Sequence, residues 1–303
     1  MRVLMTGARG LIGAALAPAL TARGHAVVRL VRVPPRGPDE FRWDPAAGAL
    51  DAAALAGCDA VIHLAGESLA AGRWTTARKA RIRSSRVEAT RLLAEAVARA
   101  PAPPRVMVSA SAVGWYGDRG DEVLDEACGP GTGYLADLAR DWEAAAQPAA
   151  AAGVRVVHLR FGMVLAAQGG ALPRMVTPFA LGLGGPFGSG GQWVSWIALK
   201  DLVSVVDRVL TRPGLNGPLN TVAPEPVRNR EFASALARGL GRPAWLTVPR
   251  WALSALLGEM GEELLLASQR AVPSRLLADG YVFQHPRLEE ALREIVGPGR
   301  RAG

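Results

Sequence analysis

Short runs of consecutive apolar residues alternate along the first half of the chain with stretches whose apolar positions recur every three or four residues. Runs of the first kind predict buried strands, and stretches of the second kind predict amphipathic helices. The predicted strands are Arg2–Thr6, His25–Val31, Asp59–Leu64, Arg105–Ser109 and Val154–Arg160. Between them the pattern predicts a helix over Leu11–Arg23 stopped by Gly24, and a long helix over Thr75–Ala100 closed by Pro101, Pro103 and Pro104. A further helix is predicted over Tyr134–Ala152, after a glycine-rich loop from Gly114 to Gly133. Residues 34–50, rich in Pro and Gly, predict a loop. Strand–helix alternation of this kind gives parallel pairing through β-α-β units, hence an α/β fold with a doubly wound parallel sheet.

After Phe161 the regularity changes. A glycine-rich segment, Gly169–Gly191, carries a predicted helix over Leu172–Leu181, and helices follow over Leu199–Leu210 and Asn229–Leu240. Leu219–Val222 is strand-like, and the tail from Pro249 is mostly short helices. The expected organisation is a main domain over 1–165, with 199–222 returning to it, and a smaller C-terminal lobe made of 166–198 and 223–303. The last six residues are expected to fray.

Composition removes several function classes. Two cysteines allow no disulfide framework, and the four histidines fall in no metal-ligand spacing, so no metal site is expected. No apolar run reaches the length of a spanning helix, and the N-terminus lacks a signal-peptide pattern, so the expected setting is cytoplasmic with no membrane partner. The formal charge of +8 raises the question of nucleic acid. Only two of the 35 cations are lysines, Lys79 and Lys200. The cationic cluster Arg78, Lys79, Arg81, Arg83 and Arg86 has no interleaved aromatic residues, so no nucleic-acid partner is expected.

The sharpest signal is Thr6-Gly7-Ala8-Arg9-Gly10-Leu11-Ile12-Gly13, a G-x-x-G-x-x-G spacing set between a strand and a helix. Glycines there allow a tight turn and close approach of backbone to a pyrophosphate, while the helix N-terminus offers free N–H groups. This makes the sheet Rossmann-type and names Thr6, Gly7, Arg9, Gly10, Leu11, Ile12 and Gly13 as cofactor-binding candidates. The second strand ends Leu30-Val31-Arg32, without the acid that would read a ribose 2′-hydroxyl. Arg9 and Arg32 instead suit a 2′-phosphate, so NADP(H) is favoured over NAD(H).

At this point the chain resembles the extended short-chain dehydrogenase/reductase superfamily in its NAD-dependent epimerase/dehydratase-like form. His63-Leu64-Ala65-Gly66-Glu67 resembles the turn after the fourth strand, and Ser109-Ala110-Ser111-Ala112-Val113-Gly114-Trp115-Tyr116-Gly117 resembles the serine-bearing strand end. Arg160-Phe161-Gly162-Met163-Val164-Leu165 resembles the strand end beside the nicotinamide. Glu67, Trp142-Glu143, Leu183-Gly184-Gly185-Pro186 and Trp196-Ile197 together resemble an atypical "epimerase family protein" subgroup with its own C-terminal domain. The resemblance implies further cofactor contacts at Leu64, Ala65, Gly66, Arg81, Arg86, Ser109 and Val164. It also implies catalytic roles for a serine and a tyrosine, for which Ser111 and Tyr134 are the candidates. Members of the superfamily commonly pair, which makes a homodimer the prior.

The resemblance breaks at the catalytic pair. A lysine four residues after the tyrosine normally lowers its pKa; here position 138 is Leu138, and neither lysine is near in the sequence. A substrate pocket is expected from Trp115, Tyr116, Pro186, Phe187, Trp193 and Trp196, with Gln192 and Asp201 as polar groups. Glu67 is a candidate acid or base. Two readings follow. One is an NADP(H)-dependent oxidoreductase or epimerase-like enzyme on an unidentified small molecule. The other is a regulator that senses NADP(H) or binds a partner without catalysis.

Overall fold

In the computed structural model, which describes residues 1–297, the first half of the chain forms thirteen strands and α-helices. They are β1 (Arg2–Thr6), α1 (Leu11–Ala22), β2 (Ala26–Val31), β3 (Glu40–Asp44), β4 (Ala49–Leu50), β5 (Ala60–His63), α2 (Thr76–Ser84), α3 (Val87–Arg99), β6 (Val106–Ala112), β7 (Val123–Leu124), α4 (Tyr134–Ala144), α5 (Gln147–Ala151) and β8 (Arg155–Phe161). Downstream come β9 (Met163–Leu165), α6 (Leu172–Ala180), β10 (Trp193–Val194), β11 (Trp196–Ala198), α7 (Leu199–Thr211), β12 (Gly217–Thr221), β13 (Val227–Arg228) and α8 (Asn229–Gly239). The tail holds α9 (Arg250–Leu257), α10 (Glu259–Gly261), β14 (Arg270–Ala271), α11 (Ser274–Ala278) and α12 (Leu288–Val296). The last six residues lie outside the described residues.

Eight strands form one sheet in the order β12-β8-β6-β5-β1-β2-β3-β4, all parallel except the short edge strand β4. Strand order reverses between β1 and β5, which opens a crevice at their carboxyl ends. Period-2 alternation sends Val3 and Met5 to the face covered by α1 and α7, and Leu4 to the face covered by α3. Both faces are buried, which is why these strands read as continuous apolar runs. A third core joins α6, α8, β11 and α12 through Leu172, Phe179, Trp196, Phe232, Leu236 and Leu292. This core centres a smaller C-terminal lobe, but Leu276, Tyr281 and Phe283, expected in that lobe, pack instead in the core between α1, α7 and the sheet. Helix α7 packs on α1, and β12 pairs β8 at the sheet edge.

Three local expectations are corrected. Residues 34–50 are not all loop: Glu40–Asp44 pairs with β2, because Trp43 finds a buried place beside the His63 ring at 6.0 Å. The helix expected over 75–100 is two helices, broken at Ser85–Arg86, where the Ser85 hydroxyl donates to the Ile82 carbonyl and accepts the Glu67 N–H. The helix expected over 134–152 likewise divides into α4 and α5.

Candidate functional site

The glycine turn is shaped by contacts that no side chain would permit. Gly7 adopts φ +68°, and a Cβ there would lie 2.7 Å from the Leu64 carbonyl carbon. A Cβ on Gly13 would lie 2.3 Å from the Gly7 carbonyl oxygen, so α1 can approach the turn only as glycine. The Gly10 N–H closes the turn onto the Gly7 carbonyl at 2.9 Å. No side chain caps α1 and its first turn holds no acid, which leaves the first-turn N–H groups, including those of Leu11 and Ile12, and the positive dipole end open to an anion. Gly169 and Gly170 of the lobe lie over the Leu11 side chain, close enough that a Cβ on either would meet it at 3.3 or 3.1 Å.

Thr6 lies beneath this turn and is fully buried. Its hydroxyl accepts the Leu64 and Ala65 N–H groups, each at 3.2 Å, and sits 2.7 Å from His63 Nδ1. With two N–H groups donating to it, the hydroxyl gives its own proton to Nδ1. Thr6 therefore fixes the Leu64–Ala65 backbone against the glycine turn. At the far end of the crevice, Arg32 is exposed just past β2, and Arg9 is about half exposed. The Arg9 guanidinium lies 3.3 Å from Glu40 Oε1, and Glu40 Oε2 accepts the Arg36 N–H at 3.0 Å. The Arg36 amide, with the Arg9 and Arg29 charges adding to it, holds the Glu40 carboxyl below the usual carboxylate range.

At the carboxyl ends of β6 and β8 lies a buried polar chain that the sequence did not announce. Ser111 Oγ donates to Glu143 Oε1 at 2.7 Å. Glu143 takes Arg160 in a bidentate pair, Nε–Oε1 at 2.8 Å and Nη2–Oε2 at 2.9 Å. Arg160 Nη1 donates to the Tyr116 hydroxyl, which donates in turn to Asn220 Oδ1 at 2.8 Å. The Arg160 guanidinium also stacks 4.0 Å from the Trp115 ring centroid. Strand register explains the assembly, since Ser111 lies opposite Arg160 in the β6–β8 pair and Arg160 lies opposite Asn220 in the β8–β12 pair. Burial pushes the Tyr116 phenol up to about 12, so it stays protonated at neutral pH.

Tyr134 opens α4, whose N-terminal N–H groups at Tyr134 and Leu135 both donate to Glu263 at 2.7 Å. The Tyr134 hydroxyl donates to the Lys79 carbonyl at 3.0 Å, and the Lys79 ammonium lies 4.6 Å from the ring centroid. The sequence placed neither lysine near this tyrosine; packing of α2 against α4 corrects that. The ammonium faces the ring and pairs with Glu259 rather than reaching the phenol oxygen. Burial raises the Tyr134 pKa, and Arg86 and Arg83 only partly oppose it.

The other candidates make their contacts within the chain. Arg86 is buried, donating to the Glu67 and Ile82 carbonyls and stacking 5.1 Å from Trp142. Its guanidinium lies 3.3 Å from where a Gly66 Cβ would be, which supports the turn after β5 from below. Arg81 is exposed and pairs with Glu67, as does Arg78. Ser109 is fully buried within β6, and Val164 lies on β9, paired with Ile197. Two expected pocket residues are corrected. Trp196 is wholly buried in the lobe core with its indole N–H on the Glu225 carbonyl. Asp201 is wholly buried at the start of α7, accepting the Gln284 and His285 N–H groups.

Comparison with known proteins places this geometry. Residues 3–220 match the NAD dependent epimerase/dehydratase family, and residues 248–295 match a domain of unknown function, DUF1731. An epimerase family protein of Mycobacterium tuberculosis is 44% identical over 290 residues, 96% of each chain. The human epimerase family protein SDR39U1 is 40% identical over 299 residues, 98% of this chain and 100% of its own. The crystal structure of human SDR39U1 (isoform 2) with NADPH superimposes with a TM-score of 0.88 at 38% identity, covering 98% of this chain and 99% of that one. A nucleoside-diphosphate sugar epimerase from Corynebacterium glutamicum has a TM-score of 0.82 at 39% identity, covering 98% of this chain and 58% of that one.

Proposed function

The chain belongs to the NAD dependent epimerase/dehydratase family, and on that premise we propose that it is an NADP(H)-binding, epimerase-like oxidoreductase acting on a small carbonyl or hydroxyl substrate. The observation that carries this reading is the open glycine turn with Arg9 and Arg32 beside it and no acid at the end of β2. The human relative crystallised with NADPH supports the same cofactor. Gly7, Gly10 and Gly13, with the first N–H groups of α1, would hold the pyrophosphate. Arg9 and Arg32 would take the 2′-phosphate by charge-assisted bonds. Leu64, Ala65 and Gly66 would line the ribose side, and Val164 the nicotinamide side.

When bound, the cofactor supplies hydride chemistry. The chain's own contribution is orientation and exclusion of water by the lobe. Ser111, buried with its hydroxyl proton on Glu143, would hold the strand end in place rather than touch the substrate itself. Titration of the apo protein with NADPH and NADH, followed by a carbonyl-substrate screen at the nicotinamide absorbance, tests the reading. NADPH is expected to bind at least tenfold more tightly than NADH, the size of an added charge-assisted contact. Binding of neither dinucleotide would sink it.

A second reading is favoured by one specific observation. The Tyr134 hydroxyl is spent on a backbone carbonyl, and no lysine stands at position 138. A protein that binds NADP(H) without turning over substrate fits that arrangement. Tight NADPH binding with no turnover across the screen would select it.

A further inference from the structure

Glu40 stands where an acid is least expected if a phosphate is to bind. It begins β3, opposite Arg29 in the β2–β3 register. Both carboxylate oxygens are engaged, one by Arg9 Nη2 at 3.3 Å and one by the Arg36 N–H at 3.0 Å. Arg32 lies exposed on the same loop. Glu40 thus sits among Arg9, Arg29, Arg32 and Arg36, at the crevice end where the fold presents the dinucleotide's adenosine ribose.

We infer that Glu40 is a specificity-determining residue of this site, an internal anion that holds Arg9 until a 2′-phosphate displaces it, and that it thereby limits the preference for NADP(H) over NAD(H). The inference rests on the cofactor reading above. The Arg9–Glu40 contact is a single bond from a half-exposed guanidinium that has five donors. A phosphate monoester, nearly doubly charged with three acceptor oxygens, is the stronger partner for those donors. Two anions then share one guanidinium, and their mutual repulsion is felt only by the phosphorylated dinucleotide. NADH, with a neutral 2′-hydroxyl, leaves the Arg9–Glu40 pair undisturbed. The Arg36 N–H bond serves a separate purpose, tying the 32–39 loop to β3 so that Arg32 and Arg36 stay beside the crevice.

Glu40→Gln separates these effects, because the amide keeps an oxygen for the Arg36 N–H while losing the charge. The experiment is a fluorescence titration of apo wild type and E40Q with NADPH and with NADH, each at low and high salt. E40Q is expected to bind NADPH roughly three- to fivefold more tightly, the size of a partly exposed charge interaction. NADH affinity is expected to change by less than about twofold, and the NADPH gain should shrink as salt screens it. Unchanged or weaker NADPH binding would overturn the inference, as would a gain that ignores salt. So would weaker NADH binding alone, which would make Glu40 a reader of the ribose hydroxyl. Wild type that binds neither dinucleotide overturns the cofactor reading and this inference with it. NADPH binding that E40Q fails to improve overturns only this inference.

Discussion

The Thr6 hydroxyl accepts two N–H groups and gives its proton to His63 Nδ1, so His63 carries its own proton on Nε2, a buried atom without a partner. Nothing around the ring compensates a positive charge, and burial lowers the His63 pKa to about 4. An unfolded histidine titrates near 6.5, so between about pH 6.5 and 4 the unfolded chain holds a proton that the folded chain does not. Stability is therefore full above about 6.5 and falls as the pH drops toward 4, by on the order of 3 kcal/mol for this residue. Urea unfolding from pH 7.5 to 4.5 should show that decline, and His63→Gln should flatten it. His158, whose pKa burial also lowers, adds to the wild-type slope in the same window and remains in the variant. A His63→Gln slope equal to wild type would show that the ring charges inside the folded protein.

At the scale of elements, β6, β8, β12 and α4 are pinned together by Glu143 and Arg160, whose side chains are only 9% and 3% exposed. A buried pair is weak evidence of net stabilisation, but removing one partner strands the other. Glu143→Ala is expected to destabilise by about 3–5 kcal/mol, measured by chemical denaturation. Adding Arg160→Met should recover part of that loss, because the unpaired charge goes with it. Additive losses would mean that the two groups do not act as a unit. Most of these elements were legible in the sequence, because helical and strand periods differ and glycine and proline mark their ends. Glu40–Asp44 was not, since Pro34, Pro35 and Pro38 suggest loop while the buried place for Trp43 exists only once β2 and β5 have assembled. The break at Ser85–Arg86 was hidden for a similar reason. It serves the turn after β5, eighteen residues away along the chain.

At the scale of the whole molecule, the C-terminal lobe reaches back across the crevice at several points. Glu263 caps α4, Glu259 pairs with Lys79, and Arg174 donates to the Ala70 carbonyl at 2.6 Å. Gly169 and Gly170 close over Leu11 beside the glycine turn. A dinucleotide held as proposed would touch both parts and bind only the folded chain. NADPH at a hundredfold excess over its Kd should then add about 2.7 kcal/mol to the unfolding free energy. Thermal melts across a concentration series check this, and a Tm that does not move with NADPH would contradict binding to the native state alone.

The sequence by itself determined the fold class and the glycine turn. Both are written in local terms: the period of apolar positions, and glycines at fixed offsets where no Cβ fits. It also showed that the residue four places after Tyr134 is Leu138 and not a lysine, because that spacing is read along one helix. Only the tertiary structure decided which charges meet. Glu143 joined Ser111 to Arg160, Lys79 came to Tyr134, and Glu40 came to Arg9, each across a sequence separation that no period encodes. Such pairings follow from strand register and helix packing, so a charge's partner is known only when the sheet is assembled.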